Sequence, residues 1–354
     1  MTSLLQGGDS LPVSLGIFLV AAVIVWWAGT RLAGYADRFA EATGLGGALV
    51  GLLLLGGITS LPEIATSATA AIGGAGSLAA NNLIGGVALQ LMVLAVVDAL
   101  VGRDALTSTV PRPDVLAYGA MNIALLVLVA AFAAAGDVEI FGTGVGVGSV
   151  AVVVAYGFCL TAARNIGRAA TWRPSDDERP GHDEDEPALD GHEGRESVPR
   201  LLALIGGVAL VISAGGYALS RSGEQLAEQT GLGASFFGAV FLGGATSLPE
   251  LSSAIAAVRL GRPQMAVGDV LGGNMFNLSL LLLVDAFYRR GPVLAELGAF
   301  SVVAACLGAL LCALLIVGLV ERRDRTVMRI GYDSAAMIGV YLLGLAALYQ
   351  LRDA

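Results

Sequence analysis

Long apolar stretches dominate the chain from Ser14 to Leu348, and most of them are long enough to cross a membrane. A transmembrane helix needs roughly 20 apolar residues to span a hydrocarbon core of about 30 Å. The pattern predicts ten such helices, which lie roughly at residues 13–35, 45–72, 79–101, 115–134, 138–162, 200–220, 233–257, 264–287, 293–320 and 331–350. We therefore predict an all-α membrane protein with ten transmembrane helices.

One strongly polar segment interrupts this pattern between the fifth and sixth predicted helices. Its acidic run from Asp176 to Pro187 is too polar to bury a core and is expected to remain solvated. The segment divides the chain into a first half of five helices at 1–163, an acidic linker at 164–199, and a second half of five helices at 200–354.

The two halves resemble each other in sequence. Residues 51–98 match residues 238–285 at about 18 of 48 positions when they are aligned at a constant offset of 187. A duplication is the simplest cause of this match. Because five is an odd number, the second half is predicted to lie upside down relative to the first. Inverted repeats around a midplane binding site are typical of secondary transporters.

The positions of the arginines predict the orientation in a cell membrane. The chain contains 20 basic residues, all of them arginine, and 16 fall on one side of the predicted topology. Because cytoplasmic loops carry the excess of positive charge, we predict extracellular N- and C-termini and a cytoplasmic linker at 164–199.

The most similar segments of the two halves are Gly56–Glu63 and Gly243–Glu250, which share the pattern G-G-x-T-S-L-P-E. A carboxylate at mid-membrane costs roughly 2.5–3.5 kcal/mol, so each glutamate must face a wet cavity, take up a proton or hold a cation. Pro62 and Pro249 are expected to break their helices and to leave carbonyl groups without a helical donor. Hydroxyl groups lie within a turn of each glutamate and are ligands of the kind that calcium and sodium prefer.

Each half carries a second polar element about 27 residues further along. Gln90 and Asn277 both follow their glutamate by 27 residues, and each follows a glycine pair that permits close helix crossing. Their amide groups either bind a cation or form hydrogen bonds between helices. Asp98 and Asp285 are also 187 residues apart, near the ends of two predicted helices, where either solvation or a cation-attracting vestibule explains them.

These paired elements resemble the α-repeats of the cation/calcium antiporter superfamily, notably its prokaryotic sodium/calcium exchangers. The resemblance covers all ten predicted helices. It implies that ions bind at the centre of the second, third, seventh and eighth helices, and that the first and sixth helices slide past the others. Together with the sequence pattern it gives a predicted cation-binding set of Glu63, Glu250, Thr59, Ser60, Thr246, Ser247, Asn277, Gln90, Gly56 and Gly243.

Four positions depart from the pattern of that superfamily. Gly86 and Gly273 stand where serine is usual, Gln90 stands where asparagine is usual, and Asn277 replaces an acidic residue of many sodium/calcium exchangers. Only two carboxylates are therefore expected at the centre. Two negative charges balance one Ca²⁺. Fewer oxygen ligands remain for sodium ions, and this favours proton coupling.

We predict a secondary antiporter that exchanges Ca²⁺ for Na⁺ by alternating access, with a Ca²⁺/H⁺ antiporter and a cation channel as alternatives. The chain is 56% hydrophobic and 14% charged, and it has no basic patch with interleaved aromatic residues that would indicate nucleic-acid binding. No nucleotide-binding motif or nucleophile–base pairing indicates an enzyme. The expected partners are inorganic cations and the lipid bilayer, and no cofactor is expected.

Overall fold

The computed structural model describes residues 11–45, 47–101, 106–110, 113–168, 197–230, 246–321, 326–327 and 330–351. In the first half it contains α1 (Leu11–Thr43), α2 (Gly47–Val50), a π-helical turn (Gly51–Leu55), α3 (Gly56–Thr59), α4 (Leu61–Ile72), α5 (Gly76–Val101), α6 (Pro113–Ala135) and α7 (Val147–Arg168). In the second half it contains α8 (Val198–Thr230), α9 (Leu248–Arg259), α10 (Pro263–Ser279), α11 (Leu281–Tyr288), α12 (Ala299–Glu321), the short hairpin of β1 (Thr326–Val327) and β2 (Ile330–Gly331), and α13 (Tyr332–Gln350). Single 3₁₀ turns lie at Leu106–Thr109 and Val293–Glu296.

The chain is an all-helical membrane protein with eight or nine candidate membrane spans in the described residues. Eight are continuous or nearly continuous apolar helices, and the bent pair of 51–59 and 61–72 makes the ninth. The seventh predicted helix, at 233–257, lies partly outside the described residues, and only its second part is covered, by α9. Most of the predicted linker, at 169–196, also lies outside them.

Two helices are longer than the pattern of apolar residues predicts. α1 continues to Thr43 and α8 continues to Thr230, beyond predicted ends near residues 35 and 220. The charged residues in these last turns favour a loop, but they occupy only one face. Ala36 and Ala40 on α1 and Leu226 on α8 are buried on the opposite face, and this burial stabilises the extra turns.

The predicted helix breaks at the two Ser-Leu-Pro-Glu segments are confirmed on their C-terminal sides. α4 and α9 begin at Leu61 and Leu248, so each proline occupies the second position of a new helix, where its missing N–H costs little. Ser60, with φ −80° and ψ 4°, separates α3 from α4, and the two parts of this span are bent by 48°. Ser247 has nearly the same conformation, with φ −83° and ψ 4°.

Glycines allow the backbone of the second span to touch the backbone of α10. A methyl group on Gly56 would lie 2.5 Å from the amide nitrogen of Gly273. A methyl group on Gly272 would lie 2.3 Å from the carbonyl oxygen of Leu52. The predicted close crossing at the glycine pair of the second half is therefore confirmed, and it brings α10 against the helix break at Ser60.

The two long helices each pack on the broken helix of the opposite half. Gly29 of α1 faces the carbonyl oxygen of Pro249, at 2.8 Å from the position of an added methyl group. Gly216 of α8 faces the ring of Pro62, and a methyl group added to Gly216 would lie 2.5 Å from that ring. Gly29 and Gly216 are 187 residues apart, so positions that match in sequence make matching contacts. α1 and α8 also pack along each other, while α5 and α10 are the most buried long helices.

Asp98 and Asp285 are neither solvated helix ends nor parts of a vestibule, so both interpretations of these residues are wrong. They are 1% and 0% exposed, and each accepts backbone hydrogen bonds from two loops. Asp98 accepts them from Leu106 N at 2.7 Å and Gly331 N at 2.8 Å. Asp285 accepts them from Val293 N at 2.7 Å and Gly146 N at 2.9 Å, and a further one from the Ser149 hydroxyl. Each carboxylate therefore fastens the end of its helix to two other segments.

An ion-pair cluster joins α1 to the turn between α9 and α10. Arg262 Nε lies 2.8 Å from Asp37 Oδ1, and Arg262 Nη2 lies 3.0 Å from Glu41 Oε1. The arginine side chain is 19% exposed, so the cluster is partly shielded from solvent. It lies on the side of the molecule that the arginine distribution assigns to the cytoplasm.

Candidate functional site

The paired glutamates lie at the start of the two helices that follow the breaks. Glu63 occupies the first turn of α4 and is 5% exposed, and Glu250 occupies the first turn of α9 and is fully buried. The two carboxyl groups are close enough to interact electrostatically. Neither Glu63 Oε2 nor Glu250 Oε2 has a hydrogen-bond partner in the described part of the chain, and no described arginine pairs with either group. Two buried carboxyl groups, each with an oxygen atom that has no partner among the described residues, therefore lie near each other inside the membrane domain.

Gln90 and Asn277 form a chain of hydrogen bonds that ends on one of the glutamates. Gln90 on α5 donates from Nε2 to Glu250 Oε1 at 3.3 Å. Asn277 on α10 donates from Nδ2 to Gln90 Oε1 at 3.5 Å, which is at the outer limit for such a bond. Both side chains are 1% exposed, and Asn277 Oδ1 has no partner among the described residues. The structure thus brings these amides to the site, where they join α5, α9 and α10.

The four predicted hydroxyl groups all lie at the two helix breaks. Thr59 and Ser60 are fully buried, and Thr246 and Ser247 are each 6% exposed. The Ser60 hydroxyl has no partner in the part of the chain that the structure describes. Buried hydroxyl oxygens at a broken helix are suitable ligands for a hard cation.

The two glycines of the predicted set differ in what the structure describes. Gly56 is buried at the start of α3, where its backbone contacts Gly273 on α10. Gly243 lies outside the described residues. A methyl group on Gly273 would lie 3.5 Å from the Ser60 hydroxyl oxygen and 3.6 Å from Gly56 O, so there is room for a small side chain at this point.

A third buried carboxyl group, Asp269, adjoins the candidate site, for which the sequence indicated only two carboxylates. Asp269 lies on α10 and is fully buried. Its Oδ1 accepts a hydrogen bond from the Thr59 hydroxyl at 3.3 Å, and its Oδ2 accepts one from the Ser253 hydroxyl on α9. The sequence contains a signal for this position, since Asp269 precedes Gly273 by four residues and Asn277 by eight, which is one helix face.

The groups of the site offer carboxyl, hydroxyl and amide oxygens, which are hard ligands, and no described arginine pairs with its two glutamates. In the described chain no three His, Cys, Asp or Glu side chains converge closely enough to hold one metal ion. An ion bound between Glu63 and Glu250 would therefore complete its coordination shell with hydroxyl, amide and backbone oxygens. Such a shell suits Ca²⁺ or Na⁺ rather than a metal that prefers nitrogen or sulfur ligands.

Comparison with known proteins gives related membrane proteins over most of the chain. Inner membrane protein YrbG of Escherichia coli (strain K12) is 25% identical over 282 residues, which cover 79% of this chain and 82% of that protein. Sodium/potassium/calcium exchanger 2 of Mus musculus is 26% identical over 136 residues, which cover 37% of this chain and 20% of that protein. The solved structure of the sodium-calcium exchanger NCX_Mj, soaked with Na⁺ and Sr²⁺, matches with a TM-score of 0.70.

The match to NCX_Mj covers 95% of this chain and 99% of that chain at 17% sequence identity, so it concerns the fold. The family model described as sodium/calcium exchanger protein matches residues 13–164 and 200–350. These two ranges hold both broken helices, both glutamates and all the amide and hydroxyl groups around them. They leave out only the chain ends and the acidic segment. On this evidence the chain belongs to the sodium/calcium exchanger protein family.

Proposed function

We propose that this protein is a secondary antiporter that exchanges Ca²⁺ for Na⁺ across the cell membrane. The observation that carries the proposal is the pair of buried carboxyl groups, Glu63 and Glu250, which interact with each other and each have one oxygen without a partner among the described residues. Two like charges buried together are unfavourable unless a cation or protons neutralise them. A divalent cation between them supplies that neutralisation with its two positive charges.

The same electrostatics accounts for coupling between the two ions. An empty site leaves two carboxylates in the membrane interior, and such charges are costly there. The protein therefore changes between its outward-open and inward-open forms only when the site holds Ca²⁺ or the replacing monovalent ions. Ca²⁺ and the replacing monovalent ions bind to the same carboxylates, so the site cannot hold both sets of ions at once.

The architecture that we propose is ten transmembrane helices in two inverted halves of five. Its support is a set of residue pairs, each 187 positions apart, with matching surroundings: Ser60 and Ser247, Gly29 and Gly216, Asp98 and Asp285, and Gln90 and Asn277. In this architecture α1 and α8 slide against the broken helices and expose the site to each side in turn. The termini are then extracellular and the acidic linker is cytoplasmic.

Exchange of Ca²⁺ for protons through the same glutamates is the second candidate. It is favoured by the amides at Gln90 and Asn277 and by the missing hydroxyls at Gly86 and Gly273, which leave fewer ligands for several sodium ions. A buried carboxyl group that loses its cation has a proton as the alternative means of neutralisation.

The proposal is tested by calcium uptake into proteoliposomes. The purified protein is reconstituted in vesicles loaded with sodium, and radioactive calcium is added outside with and without an outward sodium gradient. We expect gradient-dependent uptake in the wild type and a loss of at least about 100-fold in Glu63→Gln and Glu250→Gln, because each variant removes a charge from the site. Vesicles with an acidic interior and no sodium test the proton alternative.

Two results would contradict the proposal. Calcium flux down its own gradient, in either direction and without any counter-ion gradient, would indicate a cation channel. Normal exchange in either glutamine variant would show that the glutamates do not carry the ion. Asp98→Asn is the matched control, because it removes a buried carboxylate that binds loops away from the site.

A further inference from the structure

We infer that Asp269 is the centre of a second cation site, which holds a monovalent metal ion such as Na⁺ beside the Ca²⁺ site of Glu63 and Glu250. This inference rests on the proposed function and specifies where one of the counter-ions binds. The ligands would be the two carboxylate oxygens of Asp269 and the hydroxyl oxygens of Thr59 and Ser253.

The hydroxyl groups beside Asp269 have more acceptors than protons. The Thr59 hydroxyl is within reach of Asp269 Oδ1 at 3.3 Å and of Leu55 O at 3.1 Å. The Ser253 hydroxyl is within reach of Asp269 Oδ2 and of Glu250 O, the latter at 3.0 Å. Each hydroxyl carries one proton and two lone pairs, so it can serve only one of its two acceptors at a time.

This surplus of acceptors gives the site two complete arrangements. Without an ion, both hydroxyl protons point to Asp269 and satisfy its carboxylate. With an ion, the hydroxyls turn their protons to the carbonyl oxygens of Leu55 and Glu250 within their own helices. The Thr59 and Ser253 oxygens and both Asp269 oxygens then face the cation. The change requires only rotation about two C–O bonds, and all four ligands are the hard oxygens that Na⁺ prefers.

The charge balance of the region calls for a further cation. With Ca²⁺ between Glu63 and Glu250, the ionised form of Asp269 would remain a buried negative charge, and no described arginine pairs with it. Asp269 and Glu250 interact electrostatically, and the Thr59 hydroxyl lies 3.3 Å from Asp269 Oδ1. Glu250 Oε2 is fully buried and has no partner among the described residues.

The second site is separate from the first but connected to it. The three carboxyl groups do not converge on one point in the described structure, so Asp269 is not simply a third ligand of the same ion. The Thr59 and Ser253 hydroxyls both contact Asp269, and the Ser253 hydroxyl also reaches the backbone carbonyl of Glu250. Occupation of one site therefore changes the ligands that are available to the other.

The site belongs to one half only. The position that matches Asp269 in the first half is Asn82, and the position that matches Ser253 is Thr66. The Thr66 hydroxyl donates to Pro62 O at 2.9 Å, as an ordinary hydroxyl within a helix. The chain thus contains its own uncharged version of the Asp269 position, and Asp269→Asn copies a residue that this fold already accommodates.

The test is equilibrium binding of radioactive sodium and radioactive calcium to the full-length protein in detergent. The proteins compared are the wild type, Asp269→Asn, Ser253→Ala and the matched control Thr66→Ala. We expect Asp269→Asn to lose one bound sodium ion per chain while its calcium affinity without sodium changes less than about threefold. Ser253→Ala is expected to weaken the same sodium ion by about tenfold, and Thr66→Ala is expected to bind like the wild type.

The outcomes separate this inference from the proposed function. The inference is overturned if Asp269→Asn binds as many sodium ions as the wild type, if the wild type binds none, or if Asp269→Asn abolishes only proton-driven calcium uptake. The last result would assign a proton to Asp269 instead of a metal ion. Retention of full calcium binding by Glu250→Gln would overturn the proposed function itself, whatever Asp269 does.

Discussion

Single glycines decide how closely α10 approaches the broken second span. Gly272 and Gly273 are neighbours in sequence, yet a methyl group fits at Gly273 and not at Gly272. An added methyl group on Gly272 would lie 2.3 Å from Leu52 O and 2.5 Å from Leu52 Cα, and neither atom can move without shifting its helix. The nearest atom to a methyl group on Gly273 is the Ser60 hydroxyl oxygen at an ordinary 3.5 Å.

We predict that Gly272→Ala destabilises the folded protein by about 1–3 kcal/mol and that Gly273→Ala changes its stability by much less. The measurement is the thermal unfolding of both variants in detergent, followed by the loss of the monodisperse peak in size-exclusion chromatography. Equal stability of the two variants would show that α10 does not approach the second span as the structure describes.

At the same scale, the sequence predicted part of the site and missed another part. Glu63 and Glu250 were predictable because the same motif occurs twice and a carboxylate is unfavourable in an apolar span. Asp269 was missed, because its counterpart is Asn82 and a search for matched pairs passes over it. Its role depends on Thr59 and Ser253, which approach it from two other helices, and such contacts are not visible in the spacing of one chain segment.

Buried aspartates near two helix ends also connect the elements of this protein. Asp98 and Asp285 lie near the ends of two spans, and each accepts one backbone hydrogen bond from the segment that follows its own span and one from a distant segment. The sequence placed both residues at helix ends but predicted solvation or a vestibule. The difference arises because the donors are backbone N–H groups, which carry no signal in the side-chain pattern.

We predict that Asp98→Asn and Asp285→Asn each destabilise the protein by about 1–3 kcal/mol, because the new amide nitrogen faces a backbone N–H and leaves it unsatisfied. Thermal unfolding in detergent measures the loss. Calcium affinity of the surviving folded protein is expected to remain that of the wild type, since neither residue lies at the ion site. A variant that is fully stable but does not bind calcium would contradict this assignment.

The Arg262 cluster attaches the first long helix to the turn between α9 and α10, and the sliding that we propose for α1 would break this attachment. If α1 moves against α9 during transport, the contacts of Arg262 with Asp37 and Glu41 form in one state and separate in the other. We predict that Arg262→Gln changes the exchange rate by about twofold to fivefold, since partly exposed ion pairs contribute about 0.2–1 kcal/mol each. Exchange assays in proteoliposomes measure the change.

The same effect is expected from the double variant Asp37→Asn with Glu41→Gln, and adding Arg262→Gln to it should change the rate no further. Independent, additive effects of the three substitutions would mean that the cluster does not act as one attachment.

On the scale of the whole molecule, the order of helices and the arginine distribution predict one orientation in the membrane. The loop after α6 is expected outside and the acidic linker inside. This orientation is tested with single cysteines introduced at Thr143 and Ser175. The background is a protein whose Cys159, Cys306 and Cys312 are replaced by alanine. An impermeant thiol reagent added to intact cells is expected to label the first and not the second, and the reverse pattern would contradict the topology.

The family and the all-helical architecture were predictable from the sequence because long apolar spans and two copies of one motif are strong signals. The sequence did not predict how the two halves interlock. Gly29 packs on Pro249 and Gly216 packs on Pro62, so each half completes the other around the glutamates. These contacts between the halves depend on three-dimensional shape. In the sequence they are marked only by isolated glycines.

The most direct test of the account is the binding of radioactive calcium to the purified protein at equilibrium, for the wild type, Glu63→Gln, Glu250→Gln and the control Asp98→Asn. If one Ca²⁺ lies between the two glutamates, each glutamine variant loses calcium affinity by on the order of 100-fold, and the control binds like the wild type. A folded glutamine variant that binds calcium as tightly as the wild type would show that the two halves do not share one ion.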